Sequence, residues 1–360
     1  MKRIAVLTSG GDAPGMNTAI RALVKLAAGQ GIEVIGVENG YDGLIDGRFR
    51  PLTQRVKDAL VSEVDVHVMG SLGGTVLGSA RSSRFRTPEG RAEAAKALRD
   101  IDGLVVIGGN GSLTGAHALA EEHQVRVVGV PASIDNDIGC TAMAIGVDTA
   151  LNTIVEACDR ISDTARAHRR AFIIEVMGRD CGYLAMASAI AAGADAVLFR
   201  EQGRSEEEVT RVVEDAILRG FAPGREKRRV LIIKSEGVSV PCTLLARQLS
   251  ERLEDKLEGV DIRATVLGHL VRGGAPSYAD RAMAGRLALG ALSALLGGGT
   301  DEMVAWQPPV KGGTATRDAH VKRFQLQRVL DETDALLDGS SPITQRRVAM
   351  MEGIEGILGL

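Results

Sequence analysis

One unit recurs along this chain: a short apolar run, a polar loop carrying glycine, then a helix. The runs at 4–7, 104–107, 125–130, 171–176 and 230–233 follow this form, with Arg126 and Glu175 the only charged residues among them. A run that is apolar at every position fits a strand covered on both faces, and such strands belong to parallel sheets. A helix between two strands carries the chain back, so that the second can lie parallel to the first. The pattern predicts an α/β protein of two lobes, each a largely parallel sheet with helices on both faces. The polar loops then fall at the carboxyl ends of the strands, where open sheets bind ligands.

Three loops carry most of the chemistry. The first, Thr8-Ser-Gly-Gly-Asp-Ala-Pro-Gly-Met-Asn17, lies between a strand at 4–7 and a helix expected at 18–28. Strand, glycine loop and helix together offer backbone N–H groups to phosphate. The spacing of Gly and Lys matches neither the Walker A loop nor the dinucleotide fingerprint. The second, Gly108-Gly-Asn-Gly-Ser112, repeats the arrangement ahead of a helix expected at 113–122. The third, Pro131-Ala-Ser-Ile-Asp-Asn-Asp-Ile138, places two carboxylates, an amide and a hydroxyl within five residues. In an extended segment Asp135 and Asp137 would point the same way. Asn and Asp are also at home in plain turns. Arg81, Arg84 and Arg86 follow another glycine-rich stretch. They fit either a solvated surface or a polyphosphate grip, since guanidinium matches phosphate oxygens in pairs.

Elsewhere, 40–44 is expected to be a turn and 54–62 a short helix. The last fifty residues are expected to hold polar helices. Scattered Cys140, Cys158, Cys181 and Cys242, with no Cys-x-x-Cys pair, suit a reduced cytoplasmic protein without structural zinc. A net charge of −3 and 3% aromatic residues argue against nucleic acid as a partner. No apolar run is long enough for a membrane span. The absence of a Gly-x-Ser-x-Gly elbow argues against acyl transfer. Glycine loops, arginines and paired aspartates are the parts that phosphoryl transfer needs.

Taken with Glu175-Val-Met-Gly-Arg179 and Val266-Leu-Gly-His-Leu-Val-Arg-Gly-Gly274, the three loops resemble the bacterial type of the 6-phosphofructokinase family, from the first strand to about residue 296. The resemblance implies transfer of the ATP γ-phosphoryl to the 1-hydroxyl of fructose 6-phosphate, with Mg2+. It makes Asp135 the base, with Ser133, Asp137 and Arg179 also catalytic. Gly11, Arg81, Ser82 and the loop residues Gly109, Asn110, Gly111 and Ser112 match the nucleotide site. Met177, Gly178, Glu236 and His269 match sugar contacts, and Arg170, Arg263 and Arg272 the clamp on the 6-phosphate.

Asn110 and Asp137 fall near the metal, and Asn110 stands where the family usually has Asp. Pyrophosphate users of the family carry Asp in place of Gly111 and Lys in place of Ala132, so this chain favours ATP. A pyrophosphate-dependent enzyme and a non-catalytic sugar-phosphate or nucleotide-binding regulator are the alternatives. The nucleotide lobe is expected to span 1–139 with about 262–306, and the sugar-phosphate lobe about 140–261 with 307–360. In the family the equivalents of Arg170 and Arg263 come from a neighbouring subunit, which implies a homotetramer with shared sites. Arg21, Lys25, Asp195 and the run 225–229 match an effector site, with Ser162 in place of one arginine.

Overall fold

The structure, a computed structural model, describes residues 1–57, 59–225, 228–306, 313–316 and 321–349. The chain divides into two compact units, 1–149 with 272–334 and 150–271 with 335–360. The divisions therefore fall later in the chain than the lobe boundaries expected from sequence.

In order, the first unit begins with β1 (Arg3–Ser9), α1 (Met16–Ala28), β2 (Glu33–Val37), α2 (Gly40–Ile45) and β3 (Phe49–Pro51). It continues through β4 (Thr53–Val56), β5 (Ala59–Ser62), α3 (Val64–Met69), α4 (Pro88–Ala97), β6 (Gly103–Gly108), α5 (Asn110–His123) and β7 (Val127–Pro131). Next come α6 (Val147–His168), β8 (Arg170–Val176), α7 (Tyr183–Ala192), β9 (Ala196–Leu198), α8 (Glu206–Gly220), β10 (Arg229–Ser235), α9 (Cys242–Leu253) and β11 (Asp261–Val266). The chain then returns to the first unit with α10 (Tyr278–Leu296), β12 (Glu302–Trp306), β13 (Thr314–Ala315), β14 (Val321–Gln325) and α11 (Leu326–Leu337).

The sheet of the first unit runs β13-β14-β12-β7-β6-β1-β2-β3. Its five middle strands, β12 to β2, are parallel, and antiparallel pairs close both edges. Every residue of β6 and β7 is buried, as their uniformly apolar sequences require. The sheet of the second unit, β11-β8-β10-β9, is parallel throughout. Ile173, Val213, Ile217, Ile232 and Leu249 fill one of its faces.

Three local expectations change. The helix expected at 54–62 is the antiparallel hairpin β4–β5. Lys57 takes a left-handed φ of 54° at its turn, and the Val34 N–H donates to Thr53 Oγ1 at 3.0 Å. The β-branched Thr53, Val56 and Val61 outweigh helix propensity there. The turn expected at 40–44 is helix α2. The last fifty residues also contain strands: β13 and β14 extend the first sheet beside β12, so they are not purely helical.

Asp280 on α10 holds the start of α6. Its Oδ1 accepts the Gly146 N–H at 2.8 Å, and its Oδ2 accepts both the N–H and the hydroxyl of Thr149. The side chain is fully buried, and burial pushes its carboxyl above the usual carboxylate range while Thr149 and the Gly146 N–H pull it back. Asp280→Ala orphans three donors and is expected to cost about 3 kcal/mol. Asp280→Asn should cost less, because one amide oxygen can still serve Thr149. Urea unfolding followed by circular dichroism checks the order.

Candidate active site

The first unit contains a cavity of about 540 Å3. Its walls come from the loops after β1, β6 and β7, which all leave the sheet at the same edge. Gly11, Arg81, Ser82, Gly109, Asn110, Gly111, Ser112, Ser133, Asp135, Asp137 and Arg272 all line it. Sequence reasoning thus named eleven residues, far apart in the chain, that share one pocket.

The floor is the N-terminus of α5. Gly109 caps this helix with extended backbone and no side-chain hydrogen bond, and its first turn holds no acidic residue. The start of the helix therefore has no side-chain cap, and the helix dipole adds positive potential there. Ser112 is buried at 3% exposure, and its hydroxyl has no hydrogen-bond partner among the described residues. Such a group is costly unless a ligand completes it. Among the described residues, nothing beyond its chain neighbours and the backbone of its own helix lies within 4 Å of the position a Cβ would take on Gly111. Arg272 donates from Nη1 to the Asp12 carbonyl at 3.0 Å and crowds Gly11.

The loop after β7 is a turn, not the extended segment that would align its two aspartates by alternation. Asn136 sits at a φ of 53°, buried. Its Nδ2 donates to the Ala142 carbonyl at 3.2 Å, and its Oδ1 accepts the Ala144 N–H at 3.0 Å. This anchor turns Asp135 and Asp137 into the same cavity by a route the alternation argument did not contain. Ser133 Oγ donates to Asp137 Oδ1 at 2.8 Å.

Of the three clustered arginines, Arg81 and Arg86 line the cavity. Arg84 pairs with Asp46 at 2.7 Å instead. Sequence reasoning missed Tyr41 and Phe85, whose rings stack with centroids 3.9 Å apart along the same wall. The Tyr41 hydroxyl donates to the Ser112 carbonyl at 2.6 Å, tying this wall to the α5 loop. Arg91 and Thr114 also line the cavity. The usable signal was an aromatic at 41 in a chain with only three tyrosines and six phenylalanines.

In the second unit, three loops meet at the carboxyl edge of the sheet. The Glu236 N–H donates to the Val176 carbonyl at 2.9 Å, and the Leu267 N–H to the Glu175 carbonyl at 2.9 Å. Ser235 Oγ bonds the Gly178 carbonyl. Gly178 has a φ of 116°, which favours glycine, and an added Cβ would strike the Cys181 carbonyl at 2.4 Å. Met177, Gly178, Arg179, Glu236 and His269 all fall on these loops. Beneath them, buried Lys234 donates to Glu175 Oε2 at 2.9 Å and joins β10 to β8.

Arg170 and Arg263 lie elsewhere. Arg170 opens β8 opposite Asp261, and Arg263 lies in the amino-terminal half of β11, in register with Phe172. Arg170 and Val176 are the two ends of β8, six steps apart, or roughly 20 Å at about 3.3 Å per residue.

Of the positions matched to an effector site, Asp195 is buried and accepts the Leu231 N–H at 2.8 Å. Arg229 donates to Ser162 Oγ at 2.6 Å, so the serine is engaged by the basic run itself. Positions 226 and 227 of that run lie outside the described residues. Among the described residues no helix is long and apolar enough to cross a membrane.

Comparison with known proteins places the chain in a family. A curated ATP-dependent 6-phosphofructokinase of Thermotoga petrophila is 47% identical over 92% of this chain and 97% of its own length. The ATP-dependent 6-phosphofructokinase 1 of Thermus thermophilus is 44% identical over the same shares. Among solved structures, Pichia pastoris phosphofructokinase superposes with a TM-score of 0.82 at 31% identity, covering 98% of this chain and 39% of that one. A pyrophosphate-dependent phosphofructokinase from Marinobacter aquaeolei, TM-score 0.70 and 19% identical, shares the fold over 92% of this chain and 84% of its own. The sequence model described as Phosphofructokinase matches residues 3–295, and with relatives this similar over nearly their whole length, the chain belongs to the phosphofructokinase family.

Proposed function

We propose that this protein is an ATP-dependent 6-phosphofructokinase. It is a phosphotransferase of glycolysis that converts fructose 6-phosphate and ATP to fructose 1,6-bisphosphate and ADP. The observation that carries this reading is that the uncapped start of α5 and the Asp135–Asp137 carboxylates line one cavity. A polyphosphate needs the first, and an acceptor hydroxyl needs the second.

In this reading Gly11, Ser82, Gly109 and the α5 N–H groups hold the nucleotide, and Ser112 completes its hydroxyl on a phosphate oxygen. Arg81 carries negative charge beside them. Asp135 takes the proton of the 1-hydroxyl as its oxygen forms a bond to the γ-phosphorus and the bond to the β–γ bridging oxygen breaks, releasing ADP. Arg179 offsets charge on the transferring group. Ser133 orients Asp137 through their hydrogen bond.

Hard cations take oxygen donors, and Asp137 with Asn110 supplies one carboxylate and one amide oxygen. Two protein donors fit a Mg2+ held mainly by phosphate oxygens and water, with Asn110 weaker than a carboxylate would be. Bound there, the ion would neutralise polyphosphate charge. Met177, Gly178, Glu236 and His269 contact the sugar, and Arg272 the 6-phosphate.

Arg170 opens β8, at the opposite strand end from those sugar contacts, and Arg263 lies in the amino-terminal half of β11, joined to it through Asp261. That placement supports a homo-oligomer, a tetramer by family pattern, in which the pair serves a neighbouring subunit's substrate. The protein is assigned to the cytoplasm. Open space over Gly111 supports ATP as donor over pyrophosphate.

Steady-state assays with fructose 6-phosphate test this. Turnover is expected with MgATP, little with pyrophosphate, and none once EDTA removes the metal. Robust use of pyrophosphate alone would reverse the donor. Substrate binding without turnover under any condition would leave the regulator reading, which Asn110 favours.

A further inference from the structure

The second unit carries an ion cluster that its fold does not require. Arg170 opens β8, and Asp261 opens β11 directly opposite it. Arg263 lies two residues along β11, on the same face as Asp261. One oxygen, Asp261 Oδ2, accepts from both guanidinium groups, from Arg170 Nε at 3.0 Å and Arg263 Nε at 2.8 Å. Each arginine is therefore held by its inner edge, and its terminal N–H groups are left for another partner. Arg263 is 58% exposed at its side chain and Asp261 37%. Ion pairs this exposed add little to stability.

We propose that Asp261 is a positioning residue for the phosphate grip. This rests on the function proposed above, which gives Arg170 and Arg263 to the 6-phosphate of the sugar. Two like charges side by side repel, and two long side chains sample many rotamers. A shared carboxylate sets both guanidinium groups in place before the phosphate arrives, so less freedom is lost on binding. Its own charge also repels phosphate, but solvent and salt screen that effect at so exposed a site. The net effect of Asp261 is tighter binding of the phosphorylated sugar, with no part in the chemical step.

A double-mutant cycle on the full-length enzyme tests this. Asp261→Ala is expected to raise KM for fructose 6-phosphate about tenfold, with kcat and KM for ATP unchanged. Asp261→Asn, which keeps one good acceptor, should fall between it and the parent. In an Arg170→Ala, Arg263→Ala background, removing Asp261 should add less than about twofold. An unchanged or lower KM in Asp261→Ala overturns the proposal. So does an equal rise in both backgrounds, which would mean Asp261 acts on something other than the arginines. Absence of fructose 6-phosphate turnover in the parent would instead remove the function on which the proposal rests.

Discussion

Asp135→Asn is expected to lower kcat about 10²- to 10⁴-fold, the range that a lost general base produces, while KM for both substrates stays within a few-fold of the parent. The amide has nearly the shape of the carboxylate but cannot accept the hydroxyl proton. The loop itself should survive the change. Its conformation is set by Asn136, whose side chain bonds Ala142 and Ala144, and by the Ser133–Asp137 hydrogen bond. None of these contacts uses the side chain of Asp135. Steady-state kinetics, with calorimetric binding of each substrate, separates a lost base from a lost site. Parent-like turnover in the amide variant would remove Asp135 from the chemistry.

Much of this site was legible because its candidate phosphate-binding residues sit on loops between buried strands. Strands such as β6 and β7 declare themselves through unbroken apolar runs. The loops after them are then fixed in the chain before any contact is known. What is not local was not legible. Tyr41 and Phe85 stack across more than forty residues of sequence, and neither carries a periodic signal. β14 gains its place by pairing with β12, which itself lies beside β7, so propensity alone left β14 as part of a polar tail.

The alternation rule also reached a useful result by a wrong path. Asp135 and Asp137 share the cavity because Asn136 adopts a left-handed turn, a residue-specific device that period-two reasoning does not see. The place of Arg170 at the start of β8 and of Arg263 in the amino-terminal half of β11 could be read only once the register of the two strands was known. That register is also what separates them from the loops carrying Glu236 and Met177.

Gly111→Asp is expected to cut kcat/KM for ATP by about 10- to 10³-fold, with KM for fructose 6-phosphate little changed. The position faces open cavity, so the new side chain meets no protein atom at its Cβ and need not disturb packing. It lies in the first turn of α5, where a carboxylate interacts favourably with the helix dipole and a glycine is a poor helix former. The melting temperature should therefore hold or rise, which separates this variant from a misfolded one. The loss comes from charge. A carboxylate about 4 Å from a phosphate oxygen costs roughly 1 to 4 kcal/mol, between the limits for water and for a protein surface. It would also compete for the N–H groups that the nucleotide needs. Pyrophosphate has no adenosine side to accommodate, so it should suffer less from a side chain at 111. Adding Ala132→Lys, at a position lining the same cavity, supplies a cation on that side and should move the donor ratio further toward pyrophosphate. Measuring kcat/KM for both donors in the single and double variants reads the ratio directly. ATP use at the parent level in Gly111→Asp would mean that the polyphosphate does not lie over the start of α5, and the nucleotide assignment would have to be redrawn.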